Sequence, residues 1–346
     1  MTANLDMVRL FRAELQLCKL MPRETLVVLS EGDEKRDYAD AFLAAADELG
    51  ATAYQINLTK RAPRPGERTK RTSLSGNTPA IAALKSADMV IDLVGLLWSP
   101  EQKEITDSGT RVLLVREPFD VLVRMFPRES LRRRVEEAQR ILAGAREMRI
   151  TSAAGTDVTY RLGAYPVMTQ YGYTDTPGRW DHFAGGFVYT GAHDDGVDGT
   201  VVIDTGDILF PFMRYCSAPV RLLIARGVVT KIEAAGVEGE LLQSFIRRFD
   251  DPRAYAVSHI GWGMDETAQW DYMGTARNGA LATGCDGRAF YGNVLFSTGP
   301  NLELGGKNDT ACHLDIPLRN CTLALDGRRI IDNGAILPEE LRADGR

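Results

Sequence analysis

The stretch TLVVLSEGDEKRDYADAFLAAADELGATAYQIN, residues 25–57, decides the fold of the amino-terminal half. It opens with a short run rich in β-branched residues, TLVVLS, and closes with a second such run, ATAYQIN. Between them, residues 36–50 place apolar side chains at helical spacing, and Gly50 marks the end of the helix. Two strands joined by a helix predict a right-handed crossover between parallel strands.

The same alternation continues along the chain. DMVIDLV (88–94) and TRVLLV (110–115) predict further strands, and TPAIAALKSA (78–87) predicts a helix. We therefore expect an α/β fold, with a doubly wound, mostly parallel sheet domain over residues 1–150. From residue 151 to 346, short strands and Asp-Gly turns dominate around one helix, 238–249, which predicts a β-rich α+β domain.

Charge and cysteine usage limit the classes of function. The formal net charge of -6 argues against a nucleic-acid or anionic membrane surface, so neither is an expected partner. The basic segment KRAPRPGERTKR (60–71) is interpreted as a solvated loop, with a phosphate-binding patch as the alternative. The 5 cysteines form no CxxC pair, which favours reduced thiols in a cytoplasmic protein. No apolar run is long enough to span a membrane.

The histidines point to a metal site. His313 and Asp315, in TACHLDIPL (310–318), stand two positions apart, so in a strand their side chains leave the backbone on the same side. With His259 of VSHIGWG they supply two imidazoles and one carboxylate, the facial triad of non-haem Fe(II) oxygenases. A structural histidine paired with an aspartate fits the same spacing, so the residues alone leave both interpretations open.

Two loops are candidates for substrate contact. GLLWSPE (95–101) follows a predicted strand at the sheet edge where such domains bind ligands, although Ser99 also fits a helix N-cap. TDTPGRWDHFAGG (174–186), which contains His182, fits either a ligand-contacting loop or an ordinary turn. Neither a dinucleotide-binding nor a triphosphate-binding motif occurs in residues 1–150.

Five stretches carry a family resemblance: LLWSPEQ (96–102), YGYTDTPGRWDHF (171–183), SHIGWG (258–263), RAFYGNVLFSTGPN (288–301) and CHLDIPLRNC (312–321). They resemble the 2,5-dihydroxypyridine 5,6-dioxygenases of bacterial nicotinate degradation, and the resemblance covers nearly the whole chain. It implies a fold related to aminopeptidase T-like metallopeptidases, a mononuclear Fe(II) cofactor and O₂ as co-substrate. The implied reaction is extradiol-type opening of a hydroxylated N-heterocycle, with 2,5-dihydroxypyridine giving N-formylmaleamate. A homo-oligomer, such as a hexamer, is also implied.

The resemblance assigns roles to individual residues. It implies that His259, His313 and Asp315 bind the iron, and it leaves His182 as the candidate for proton transfer. Arg179, Ser297 and Ser99 are further candidates for substrate contact.

The chain departs from the family pattern at two positions. Trp98 stands where the family has a histidine, its proposed acid/base, and Gln170 stands where the family has a glutamate. Neither replacement accepts a proton near neutral pH. We expect Trp98 to cover one face of the substrate ring and Gln170 to hydrogen-bond to its polar edge. Because both titratable groups are lost, the expected substrate is either 2,5-dihydroxypyridine or a related heterocycle.

Other classes of function remain open at this stage. An aminopeptidase T-like metallopeptidase would need several carboxylates that bridge two metal ions. A catalytically silent domain that only binds a heterocycle is compatible with the loss of the base. Metal content distinguishes these functions, because the dioxygenase requires one iron ion per chain, the metallopeptidase two metal ions, and the binding domain none.

Overall fold

The computed structural model describes residues 5–61, 70–97, 99–234, 236–275 and 284–345. The chain divides into two compact units. The first contains the described residues before 62, the stretch from Arg71 to Pro127, and Tyr171–Gly185; the second contains Arg128–Gln170 and the chain from Gly186 onward. The division thus falls at 127 and not at the predicted 150, and one later segment returns to the first unit because its strand completes the parallel sheet there.

The first unit alternates strands and helices. Its helices are α1 (Leu5–Leu17), α2 (Arg36–Glu48), α3 (Thr78–Lys85), α4 (Pro100–Asp107) and α5 (Phe119–Arg124). Its strands are β1 (Thr25–Glu31), β2 (Thr52–Leu58), β3 (Met89–Asp92), β4 (Arg111–Val115) and β8 (Trp180–Phe183). They pair in the order β2-β1-β3-β4-β8, each pair parallel.

Both faces of this sheet are covered. All four residues from Leu26 to Leu29 in β1 are fully buried, although alternate side chains of a strand point to opposite faces. Val27 and Leu29 belong to the core that includes residues of α3 and α4. Phe11 of α1 stacks on Phe42 of α2 at 3.9 Å between ring centroids. The predicted doubly wound domain is confirmed.

The second unit is rich in antiparallel strands. Its helices are α6 (Glu129–Ala143), α7 (Val237–Arg247), α8 (Tyr272–Thr275) and α9 (Cys285–Arg288). Its strands are β5 (Glu147–Ser152), β6 (Asp157–Arg161), β7 (Met168–Gln170), β9 (Phe187–Gly191), β10 (Val197–Ile203), β11 (Ile208–Leu209), β12 (Arg214–Tyr215), β13 (Val220–Ala225), β14 (Val228–Ala234), β15 (Val257–Gly263), β16 (Val294–Thr298), β17 (Leu314–Leu318), β18 (Cys321–Leu325), β19 (Arg328–Asp332) and β20 (Ala335–Ile336).

Two sheets of this unit share one hydrophobic core. The larger has the strand order β14-β13-β10-β6-β5-β18-β19-β20, and the smaller has the order β17-β16-β15-β9-β7. The shared core takes Met148, Tyr160 and Leu323 from the first of these sheets and Trp262 and Phe296 from the second. The opposite face of the smaller sheet carries the candidate metal ligands, as described below. The predicted β-rich α+β fold of this part of the chain is therefore confirmed.

Among the helices that the structure describes, none combines the length and the apolar character needed to cross a bilayer.

Candidate metal centre

The candidate site lies on one face of the smaller sheet. In β15, Ile260 and Trp262 enter the hydrophobic core, so His259 and Gly261 point to the opposite face. In β17, Leu314 and Ile316 enter the same core, and Asp315 between them points away from it. The apolar alternation of both strands therefore turns their polar residues toward one space.

The three predicted ligands come together in that space. One ligand atom from each of His259, His313 and Asp315 lies within 4.8 Å of the other two. Asp315 Oδ1 is 3.2 Å from Nε2 of His259 and 3.0 Å from Nε2 of His313, and the two imidazole rings are 5.4 Å apart. His259 and Asp315 are buried, whereas the His313 side chain is 23% exposed. Two imidazole nitrogens and one carboxylate oxygen are a donor set that suits non-haem iron.

A β-bulge sets the position of His259. The pairing of β15 with β16 shifts register between Val257 and Ile260, opposite Ser297. The Ser297 hydroxyl accepts a hydrogen bond from the His259 backbone N–H at 2.8 Å and donates one to the His259 carbonyl at 2.7 Å. Ser297, a candidate substrate contact from the sequence, is fully buried and hydrogen-bonds to the backbone of the candidate ligand His259.

The charge of Asp315 is stabilised from the other side. Arg288, at the end of α9, donates from Nε to Asp315 Oδ2 at 2.6 Å. Burial by itself would raise the pKa of Asp315, but the charges of His313 and Arg288 outweigh it and hold this pKa well below its usual range. Asp315 is therefore ionised, which is the state in which a carboxylate can bind a metal ion.

The loop that leads from β16 to His313 is fixed at both ends. Asn301 and Asn308 form two hydrogen bonds with each other. The backbone N–H of Asn301 donates to the Asn308 carbonyl at 3.0 Å, and the backbone N–H of Asn308 donates to Asn301 Oδ1 at 2.9 Å. Gly299 has a φ of +116°, and a Cβ there would lie 2.1 Å from the Cys312 carbonyl oxygen. Only glycine permits this close approach of the two ends of the loop.

An aromatic residue and a buried carboxylate lie beside the ligands. Tyr189 of β9 is on the same sheet face, with its ring 5.3 Å from that of His259 and 5.1 Å from that of Phe187. Its hydroxyl donates a hydrogen bond to Glu303 Oε1. Burial raises the pKa of Glu303 to about 6, and the bond from Tyr189 and the charge of His259 oppose that rise.

Comparisons with known proteins identify the family. The family model for 2,5-dihydroxypyridine 5,6-dioxygenase matches residues 6–338. The chain belongs to this family. A 2,5-dihydroxypyridine 5,6-dioxygenase of Pseudomonas putida strain KT2440 is 43% identical over 349 residues, which cover 99% of this chain and 99% of the relative.

Solved structures agree with the assignment. The 2,5-dihydroxypyridine dioxygenase structure from the same strain has a TM-score of 0.92 at 42% identity and covers 99% of this chain and 100% of that one. AmpT from Thermus thermophilus has a TM-score of 0.63 at 13% identity, covering 96% and 98%, so it shares the fold alone. The predicted family and the relation of its fold to aminopeptidase T are both confirmed.

The remaining candidates of the family pattern lie at different places. Gln170 lies on the same sheet face as the candidate ligands. It pairs with Phe187 of β9, however, whereas His259 pairs with Gly191, four residues further along that strand. By strand spacing and rise, its Cα lies about 16 Å from that of His259. Tyr189 is therefore nearer to the ligands than Gln170. Trp98 lies outside the described residues.

Three candidates belong to the first unit and have structural contacts there. Ser99 caps α4 by accepting from the Gln102 N–H at 3.2 Å, as the alternative interpretation of GLLWSPE predicts. The Arg179 guanidinium pairs with the fully buried Asp181 and lies 3.8 Å from the Tyr171 ring centroid. His182 is buried in β8, opposite Leu114 of β4. These contacts explain the local fold, and the substrate roles of the three residues stay predictions.

Sequence reasoning missed the residues that surround the ligands. Arg288 lies in the stretch RAFYGNVLFSTGPN that carries the resemblance, but nothing in its spacing indicates a contact with Asp315. Tyr189 and Glu303 are 114 positions apart, and no local pattern pairs them. Only the alternation in β9, whose aromatic side chains fall on one face, could have suggested Tyr189.

Proposed function

We propose that this member of the family is an Fe(II)-dependent, ring-cleaving dioxygenase acting on a hydroxylated pyridine. The observation that carries the proposal is the convergence of His259, His313 and Asp315 within 4.8 Å on one sheet face. The family comparison supports the reaction class.

The residues fit a mononuclear iron site. Two imidazoles and one carboxylate bind Fe(II) on one face and leave positions open. When bound, the iron would supply a redox-active centre at which a hydroxylated ring and O₂ meet. A two-metal peptidase would instead need bridging carboxylates, and Asp315 is the one carboxylate in this described group of ligands.

The substrate proposed first is 2,5-dihydroxypyridine. Cleavage between its ring carbons 5 and 6, with both oxygen atoms of O₂ retained, gives N-formylmaleamate, so no further oxidant or reductant is needed. Tyr189 and Phe187 would offer aromatic surface to the flat ring next to His259. In this proposal Gln170 bonds a polar edge of the ring, Trp98 covers one face, and Ser99, Arg179 and Ser297 are the other candidate contacts.

Proton transfer is assigned to His182 in this proposal. Trp98 and Gln170 cannot replace the histidine and glutamate of the family pattern in that task, because neither side chain titrates near neutral pH. A related heterocycle that binds already deprotonated would not need the missing base, and it is the alternative substrate.

Metal content and activity test the proposal together. Purified wild type reconstituted anaerobically with Fe(II) should hold about one iron ion per chain and consume O₂ with 2,5-dihydroxypyridine or a related hydroxypyridine. His313→Ala should lose the iron and remain folded, because its side chain is partly exposed and outside the core. His193→Ala, which changes a half-buried histidine in a turn, is the matched control. Full iron occupancy in His313→Ala would refute the ligand assignment, and two zinc ions with peptide hydrolysis would favour a peptidase.

Assembly and location complete the proposal. We expect a homo-oligomer, with a hexamer as the state to test by light scattering. A cytoplasmic location is supported by the cysteines, which are buried and form no disulfide with one another.

A further inference from the structure

The two oxygen atoms of Asp315 have different surroundings. Oδ1 lies 3.2 and 3.0 Å from the Nε2 atoms of His259 and His313. Oδ2 instead accepts a hydrogen bond from Arg288 Nε at 2.6 Å. The carboxylate thus presents one oxygen to the other ligands and the second oxygen to a guanidinium.

Arg288 is held in place by its own surroundings. Its guanidinium carbon lies 4.5 Å from the ring centroid of Phe210, and a Cβ on Gly287 would come within 2.8 Å of that ring. The side-chain amide of Asn293 donates to the carbonyls of Gly287 and of Arg288, the second at 3.3 Å. The backbone and the side chain of Arg288 therefore both have supporting contacts besides Asp315.

A carboxylate that binds a metal through both oxygens takes two coordination positions, whereas one that binds through a single oxygen takes one. We infer that Arg288 is a positioning residue that makes Asp315 a one-oxygen ligand and so keeps coordination positions open for the hydroxypyridine and O₂. The inference rests on the proposed function for the identity of the ligands. It adds a role for Arg288 that is exerted through Asp315.

Metal affinity is the first test, because it needs no turnover. The dissociation constants of Co(II) and Zn(II) are measured by chelator competition for wild type, Arg288→Ala and Arg288→Lys. Loss of an outer partner of a metal ligand typically costs 10–100-fold in affinity, and we expect a weakening of about that size in Arg288→Ala. Arg288→Lys keeps the charge but not the planar donor, so it should recover only part of the affinity. Arg214→Ala, which removes an arginine from the buried Glu238, is the matched control and should bind as wild type does.

The visible spectrum of bound Co(II) is the second test. A carboxylate released by Arg288→Ala can bind through both oxygens, which raises the coordination number and weakens the cobalt absorption bands. In the iron-loaded enzyme the same variant should raise KM for the hydroxypyridine and lower kcat, because an open position is lost. Phe210→Leu, which keeps the arginine but removes its aromatic support, should shift the spectrum and the affinity in the same direction by less.

The outcomes separate this inference from the proposed function. Wild type that binds no divalent metal would overturn the ligand assignment itself. Wild-type metal affinity within twofold and an unchanged cobalt spectrum in a folded Arg288→Ala would overturn only the role of Arg288. If Arg288→Ala fails to fold by circular dichroism, Arg288→Lys decides, and wild-type affinity and spectrum in that variant would refute the inference.

Discussion

Replacing Ser297 by alanine distinguishes a residue that shapes the site from one that contacts the substrate. The Ser297 hydroxyl makes two hydrogen bonds to the His259 backbone, at 2.8 and 2.7 Å, inside a fully buried β-bulge. Alanine removes both partners at once. The N–H and carbonyl of His259 are then left without the bonds that close the bulge.

The magnitude follows from the number of groups that lose a partner. A buried polar group left unsatisfied costs about 1–3 kcal/mol, so the two His259 groups together give about 2–6 kcal/mol. Some relaxation of the bulge will recover part of this cost, and we expect a loss of about 3 kcal/mol in the free energy of unfolding. Ser258→Ala in the same bulge removes one bond, to the Pro300 carbonyl, and should cost about half as much.

Urea denaturation followed by circular dichroism measures both variants against wild type. Ser297→Ala should lower the midpoint without changing the slope, and it should also weaken metal binding because His259 loses its backbone support. A substrate-contacting serine would behave differently, with a raised KM for the hydroxypyridine and nearly unchanged stability. A loss of less than about 1 kcal/mol in the free energy of unfolding, combined with a raised KM, would refute this structural role of Ser297.

Two further predictions concern a buried carboxyl and the altered substrate pocket. Burial raises the pKa of Asp207 to about 7, above its usual 3.8, so the folded protein binds this proton more tightly than the unfolded chain does. The associated stability is present below pH 3.8 and is lost as pH rises through about 7, by up to about 4 kcal/mol. Asp207→Asn should lack this loss of stability. The urea midpoint of wild type should therefore fall more than that of the variant between pH 5 and pH 8. An equal change of both midpoints would contradict the prediction. If a base is missing, Trp98→His and Trp98→His/Gln170→Glu should raise kcat on 2,5-dihydroxypyridine by about 10²-fold or more. A wild-type enzyme that already turns over 2,5-dihydroxypyridine rapidly, and that neither change improves, would count against an altered substrate.

Local periodicity predicted much of the first unit. The strands at 25–30, 51–57, 88–94 and 110–115 and the helices at 36–50 and 78–87 are present within a few residues of their predicted bounds. These segments form because a βαβ unit is specified by short apolar runs and helical spacing, both of which are local properties of the chain. The strand β8 was not predicted, since it joins the sheet from a turn-rich segment more than 50 residues after Pro127.

The pair His313 and Asp315 was likewise local, because a spacing of two in a strand by itself places two side chains on one face. The position of the third candidate ligand, His259, was not a local property of the chain. VSHIGWG carries glycines that weaken its strand pattern, and it becomes β15 only between two partner strands. The contacts of Arg288, Ser297, Tyr189 and Glu303 came from the tertiary structure alone. Their contacts join residues 27 to 114 positions apart, and no periodicity of a sequence records which distant side chains a sheet brings into contact.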